Sequence, residues 1–166
     1  KLMGWQEKKF SDDLEQNFFS IDEMNALAEK LSLDNIFYYL RPPIYCDTHV
    51  GSDGIPYYGE GEIKKHEDLD KIKLPDPYDE NLFEEAKNFI NKKKDRALCF
   101  VTRAGIYPAI NSIGFEDFCI ALYDNPAFVN DLMDMYFEWS YVVAEIVSNL
   151  GFDAYVTTDD IAFKTA

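Results

Sequence analysis

Two adjacent carboxylates, Asp159 and Asp160, stand where a short apolar strand, Ala154 to Thr158, must end. Acids leaving the carboxyl end of a strand can orient a substrate nitrogen, hold a metal or transfer a proton. The same groups can instead cap a following helix or bind loop N–H groups. Arg103 lies one residue beyond a second such run, Ala97 to Thr102, and its guanidinium fork suits a carboxylate. The alternative for Arg103 is a salt bridge to one of the many surrounding acids. Tyr107 and Asn111 follow in what reads as the loop leaving that strand, where they can donate hydrogen bonds into the same mouth or simply pack the loop. If the two strands are neighbours, Arg103 and Asp159 point into one shared mouth. Cys46-Asp-Thr-His49 is a lone Cys-x-x-His, and without a second pair it does not make a zinc site, so no metal ligand is assigned in this chain. His66, in a charged stretch, reads as solvent-exposed, and Trp5 and Trp139 read as packing residues.

The elements that must position these groups show in the periodicity. Ser20-Ile-Asp-Glu23 is a capping box flanked by Phe19 and Met24, which starts a helix whose apolar face is Met24, Leu27, Ala28 and Leu31. Residues Ile36 to Tyr45 favour extended structure, interrupted by Pro42-Pro43. Gly51-Ser-Asp-Gly54-Ile-Pro56 is turn chemistry, so an irregular hairpin is expected there, followed by a charged surface connection from Gly59 to Leu74. Beyond Pro75-Asp-Pro77 the pattern becomes regular. Asp79 caps a helix carrying Leu82, Phe83, Ala86, Phe89 and Ile90, with Lys92-Lys93-Lys94 complementing its carboxyl end. After the strand at Ala97 come a short helix from Phe115 to Asp124, pairing Phe118 with Leu122, and a long one capped by Asn125 with Pro126 in its first turn. The stripe of that long helix is Val129, Leu132, Met133, Tyr136, Val143, Ile146, Val147 and Leu150. Strand, helices, strand in this order is a βαβ crossover in a parallel sheet, and the unalternating run at Ala154 fits a strand covered on both faces.

The 166 residues are 47% apolar, enough for one core, and carry 16 Lys and Arg against 31 Asp and Glu, a formal charge of −15. That charge disfavours nucleic acid and anionic lipid as partners. No apolar run approaches the ~18 residues of a membrane span, the first residue is Lys1 rather than a starter Met with no charged, apolar and small-residue leader pattern after it, and Cys46, Cys99 and Cys119 are odd in number and widely spaced. A cytoplasmic segment of a longer chain, with reduced thiols, is the expectation.

Three segments carry a family resemblance: Leu74-Pro-Asp-Pro-Tyr-Asp-Glu-Asn-Leu-Phe-Glu-Glu-Ala-Lys, Gly114-Phe-Glu-Asp-Phe-Cys-Ile-Ala-Leu-Tyr-Asp-Asn-Pro-Ala-Phe-Val, and Leu150-Gly-Phe-Asp-Ala-Tyr-Val-Thr-Thr-Asp-Asp-Ile-Ala. In order and spacing they resemble the uroporphyrinogen decarboxylase family, which includes corrinoid-dependent methyltransferases. The resemblance covers residues 74–166 well and the first seventy loosely. It implies an α/β fold, a fragment of a (β/α)8 TIM-type barrel, which normally takes ~250 residues. Residues 1–74 would then be the helix and irregular hairpin region of the barrel domain, and residues 75–166 its first βαβ portion. It also implies Asp159 and Asp160 as catalytic candidates, Asp159 matching the acidic position the family keeps at this strand end, and Arg103, Tyr107 and Asn111 as substrate-binding candidates near the arms of a tetrapyrrole.

The decarboxylases rely on an arginine-rich N-terminal loop and a Tyr in the loop matching Ala104 through Gly114. Here the first is absent, Arg41-Pro42-Pro43 being too small a match, and Ile110 or Asn111 stands where the Tyr would be. The resemblance therefore points first to methyl transfer with a corrinoid, free or borne on a corrinoid protein, and zinc held by residues beyond Ala166. Its alternatives are cofactor-free decarboxylation of a tetrapyrrole in porphyrin metabolism and a catalytically silent tetrapyrrole-binding protein.

Overall fold

A computed structural model of the chain describes Met3 and residues 17–52 and 54–159. The order is α1 (Ile21–Leu31), β1 (Asn35–Tyr39), β2 (Cys46–Val50), β3 (Pro56–Gly61), two 3-10 turns (His66–Lys71 and Glu80–Phe83), α2 (Glu84–Lys92), β4 (Ala97–Thr102), α3 (Ile106–Ile113), α4 (Phe115–Asp124), α5 (Pro126–Ser148) and β5 (Ala154–Thr157). Strands β1, β4 and β5 form a parallel sheet in that order, and β2 and β3 form an antiparallel pair. The result is a mixed α/β fold. Among the described residues no helix is long and apolar enough to cross a membrane.

The middle position of β4 explains its unalternating sequence, because Leu98 through Thr102 are all buried between two parallel neighbours. β1 joins the same sheet in register, Tyr39 beside Val101, so a parallel crossover already leads from β1 to β4. The sequence pattern missed this pairing because β1 is short and Pro42-Pro43 made the stretch look irregular. β5 departs from expectation more sharply. Among the described residues it pairs with β4 alone, and all four of its residues are exposed. An apolar run reports a strand's capacity for burial, whereas burial itself needs neighbours that these residues do not supply.

Two apolar clusters fill the layers on and beside the sheet. The first joins Ile21 and Ala28 of α1, Phe89 of α2, Ile36 and Tyr38 of β1, Leu98 and Phe100 of β4, and Trp139, Val143 and Val147 of α5. The second joins Ile63, Ile72, Ala109, Ile113 and Phe118 to Phe128, Val129, Leu132 and Tyr136 in the first half of α5. α5 thus serves both clusters, and Trp139 adds a 2.7 Å bond from Nε1 to the Pro75 carbonyl.

Three side-chain assignments change. Leu31 is 46% exposed, because the inward face of α1 is centred on Ile21, Asn25 and Ala28, with Asn25 donating to the Lys92 carbonyl at the end of α2. Leu122 is also exposed, so Phe118 turns into the second cluster without it. Residues 59–74 are not merely a surface connection. β3 runs to Gly61, Ile63 and Ile72 are buried, and the buried Asp68 carboxylate accepts from the Lys64 and Lys65 amides.

Two outcomes follow from these anchors. A methyl group at Gly61 would run into the backbone of Ser112 and Ile113, so Gly61→Ala should lower unfolding free energy by about 1–3 kcal/mol in a urea titration; unchanged stability would contradict the close approach. Asp153 accepts from the Leu98 amide at 2.8 Å and from Lys93, which together hold its carboxyl below the ordinary carboxylate value. A lowered folded pKa means that its stabilisation is fully present above the unfolded value, about 4, and is lost as pH falls through the folded one. Urea midpoints followed downward from pH ~5 should therefore fall less in Asp153→Asn than in the parent; parallel curves would count against the assignment.

Candidate functional site

The carboxyl ends of β4 and β5 meet, because their pairing continues one residue past β5. Thr158 donates to the Thr102 carbonyl through its amide at 2.9 Å and its hydroxyl at 3.2 Å. Asp159 is thereby delivered beside residues 103–107. One carboxylate oxygen accepts from the Ala104 amide at 2.6 Å; the other accepts from Tyr107 at 2.9 Å and Gly105 at 3.4 Å. These are donors that a helix start leaves without intrahelical partners, and a negative charge there also opposes the positive end of the helix dipole. Asp160 lies outside the described residues.

Arg103 is 7% exposed. Its guanidinium carbon lies 3.5 Å from the centroid of the Tyr107 ring, and Nη1 donates to the Thr158 carbonyl at 3.4 Å. Stacking on an aromatic face suits a planar, weakly hydrated cation. From the other side, Ser140 of α5 donates its hydroxyl to the Arg103 carbonyl at 2.5 Å, and Tyr155 of β5 donates to the Ser140 carbonyl at 3.3 Å. The Tyr155 hydroxyl is pushed up to about 12, first by burial and then by the negative charge of Asp159.

Tyr107 and Asn111 belong to a helix rather than to a loop. Pro108 and Gly105 look like loop residues in the sequence, but Pro108 falls in the first turn of α3, where its missing N–H costs nothing. Gly105, at φ 155°, makes the entry, and a side chain there would press on the Met133 carbonyl. One turn beyond Tyr107, Asn111 donates its side-chain amide back to the Tyr107 carbonyl at 2.8 Å. The structure therefore brings together Arg103, Tyr107 and Asp159, while Asn111 is spent on its own helix. Ser140 was not singled out by sequence reasoning. Its signal was a small polar residue inside the apolar stripe of α5, and it is 3% exposed.

Cys46 and His49 lie on β2, where the His49 ring stacks on Tyr57 at 6.0 Å. Cys99 is buried and Cys119 exposed. Among the described residues there is no group of three or more His, Cys, Asp or Glu side chains that could hold a metal ion. His66, more than half exposed, pairs with Asp131 at 2.7 Å.

No protein-family model matches the sequence, and no curated protein matches it. Among solved structures, a methyltransferase from Methanosarcina mazei is similar, with a TM-score of 0.55 at 17% identity. The match covers 82% of this chain and 44% of that one, so the likeness spans less than half the length of its neighbour. At that identity the likeness is one of fold.

The carboxylate of Asp159 has both oxygens committed to loop and helix N–H groups, and the guanidinium of Arg103 lies over the Tyr107 ring beside the strand ends. Asp159→Asn would turn an N–H donor of its own toward one of those amides. It should lower stability by about 1–3 kcal/mol in chemical unfolding, and a variant as stable as the parent would contradict the anchoring role.

Proposed function

We propose that this chain is part of a barrel enzyme related to the uroporphyrinogen decarboxylase family that moves a methyl group between a corrinoid and an acceptor. The observation that carries the reading is the Arg103 guanidinium, fixed over Tyr107 where two parallel strands end. Such a fork would receive a carboxylate arm at the rim of a tetrapyrrole, or donate to an amide carbonyl arm at the rim of a corrinoid ring. The fold likeness to a methyltransferase supports the same choice. Methyl transfer is favoured over decarboxylation because the ring of Tyr107 already lies under Arg103, and neither Ile110 nor Asn111, one of which stands where a decarboxylase Tyr would, supplies a phenol, Asn111 bonding back within α3.

In this reading Arg103 binds and orients the ligand, Tyr107 carries the guanidinium, and Asp159 positions the loop as the acidic group nearest the mouth. Asp160, next in the sequence, would be the second catalytic carboxylate in the same reading. In the methyltransferases that the sequence resembles, the corrinoid bears the methyl group and zinc activates a thiol. The described residues do not build a zinc site, so no step is assigned to zinc here.

The test uses the full-length protein with methylcob(III)alamin and a small alkyl thiol, followed by the cobalamin spectrum. Demethylation is expected, and Arg103→Ala should weaken methylcobalamin binding about ten- to a hundredfold, the range of one lost charge-assisted hydrogen-bonded contact. Turnover of uroporphyrinogen without demethylation would overturn the reading in favour of decarboxylation.

A further inference from the structure

We propose that Tyr58, on the β2–β3 hairpin, is a positioning residue of this site. Its ring holds Tyr107 in the orientation that carries the Arg103 guanidinium, and the hairpin forms one wall of a mouth for a carboxylate-bearing ligand. The rings of Tyr58 and Tyr107 lie 6.2 Å apart at 69°, an edge-to-face contact, and the guanidinium lies 3.5 Å from the centre of the Tyr107 ring. Three groups from β3, α3 and the end of β4 are thus stacked in series. A tyrosine in the first turn of a helix has freedom about its side-chain torsions, and a ring packed on its side removes that freedom.

Tyr58 can hold Tyr107 because the base of the hairpin is fastened to the same helix. The Tyr45 amide donates to the Ser112 hydroxyl at 3.0 Å, and the Ile63 amide donates to the Ser112 carbonyl at 2.9 Å. The Glu62 amide closes the base on the Tyr45 carbonyl at 2.9 Å. Gly61 lets the end of β3 lie directly against the backbone of Ser112 and Ile113. The hairpin therefore runs along α3 from its last turn to its first, with Tyr58 opposite Thr48 in register. Its far end, including Val50, Ile55 and Tyr57, is exposed. On the face of the hairpin that carries Tyr58, the stacked pair of Tyr107 and Arg103 offers a flat aromatic edge to a ring whose carboxylate arm reaches Arg103.

The ligand in this inference rests on the proposed reading of Arg103; the positioning of Arg103 by Tyr58 does not, and the experiment separates them. In the full-length protein labelled with nitrogen-15 arginine, the Arg103 side-chain Nε–H signal is identified by its loss in Arg103→Lys. The Arg103 signal should be shifted upfield by the Tyr107 ring. Tyr58→Phe should keep that shift, and Tyr58→Ala should lose most of it, with Tyr58→Leu as the second variant if the alanine form does not fold. Uroporphyrin, a stable ring with carboxylate arms, is the binding probe. Its affinity should fall about two- to tenfold in Tyr58→Ala, the range an edge-to-face contact supports, and the fall should vanish in an Arg103→Ala background. An unshifted Arg103 signal in the parent, a shift that survives in Tyr58→Ala, or one lost in Tyr58→Phe would each overturn the positioning role. A parent protein that binds no uroporphyrin but shows the expected shifts would leave the positioning intact and remove the carboxylate ligand.

Discussion

The bonds from the Ala104, Gly105 and Tyr107 amides to the Asp159 carboxylate are the constraint on which the site depends. They join the far end of one strand to the loop that leaves its neighbour and to the first turn of the helix that follows. Charge-assisted bonds of this kind are about twice as strong as neutral ones. The exposed pairs Lys87–Glu84 and Lys94–Glu29, by contrast, are screened by solvent and contribute little. Beside the fixed loop the Arg103 guanidinium lies over the Tyr107 ring. Ser140 fixes the same loop from behind.

The packing beneath explains why this arrangement is rigid. α5 spans both apolar clusters, with Phe128 through Tyr136 in one and Trp139 through Val147 in the other. Ser140 sits where the helix passes behind the end of β4, so the Arg103 loop is referenced to the element that joins the two halves of the core. The buried phenol of Tyr136 extends the same referencing to the N-terminal half, meeting the Ser112 hydroxyl and donating to the Pro43 carbonyl. Burial raises the pKa of this hydroxyl well beyond its ordinary value, which keeps it neutral and able to donate.

Much of this was legible in residue order. The capping box at Ser20, the Asn125-Pro126 start of α5 and the apolar run of β4 all follow from local rules. These features have short-range causes. What was not legible has long-range ones. β1 looked irregular until β4 supplied its partner, residues 103–111 looked like a loop until Asp159 capped a helix there, and Gly61 revealed its purpose only against the backbone of α3. The dual reading of Asp159, ligand or cap, could not be separated by spacing, because both uses require an acid at the same position. The contact between Tyr58 and Tyr107 left no signal in the sequence at all.

The most direct test of the central claim is amide hydrogen exchange at Ala104, Gly105 and Tyr107 in the parent and in Asp159→Ala. If the carboxylate anchors this loop, protection at these three amides should collapse in the variant, while the β1–β4 ladder around Leu98 and Phe100 stays protected. Equal protection of the three amides in both proteins would mean that something other than Asp159 holds the loop, and the account of how Arg103 is aimed would be contradicted.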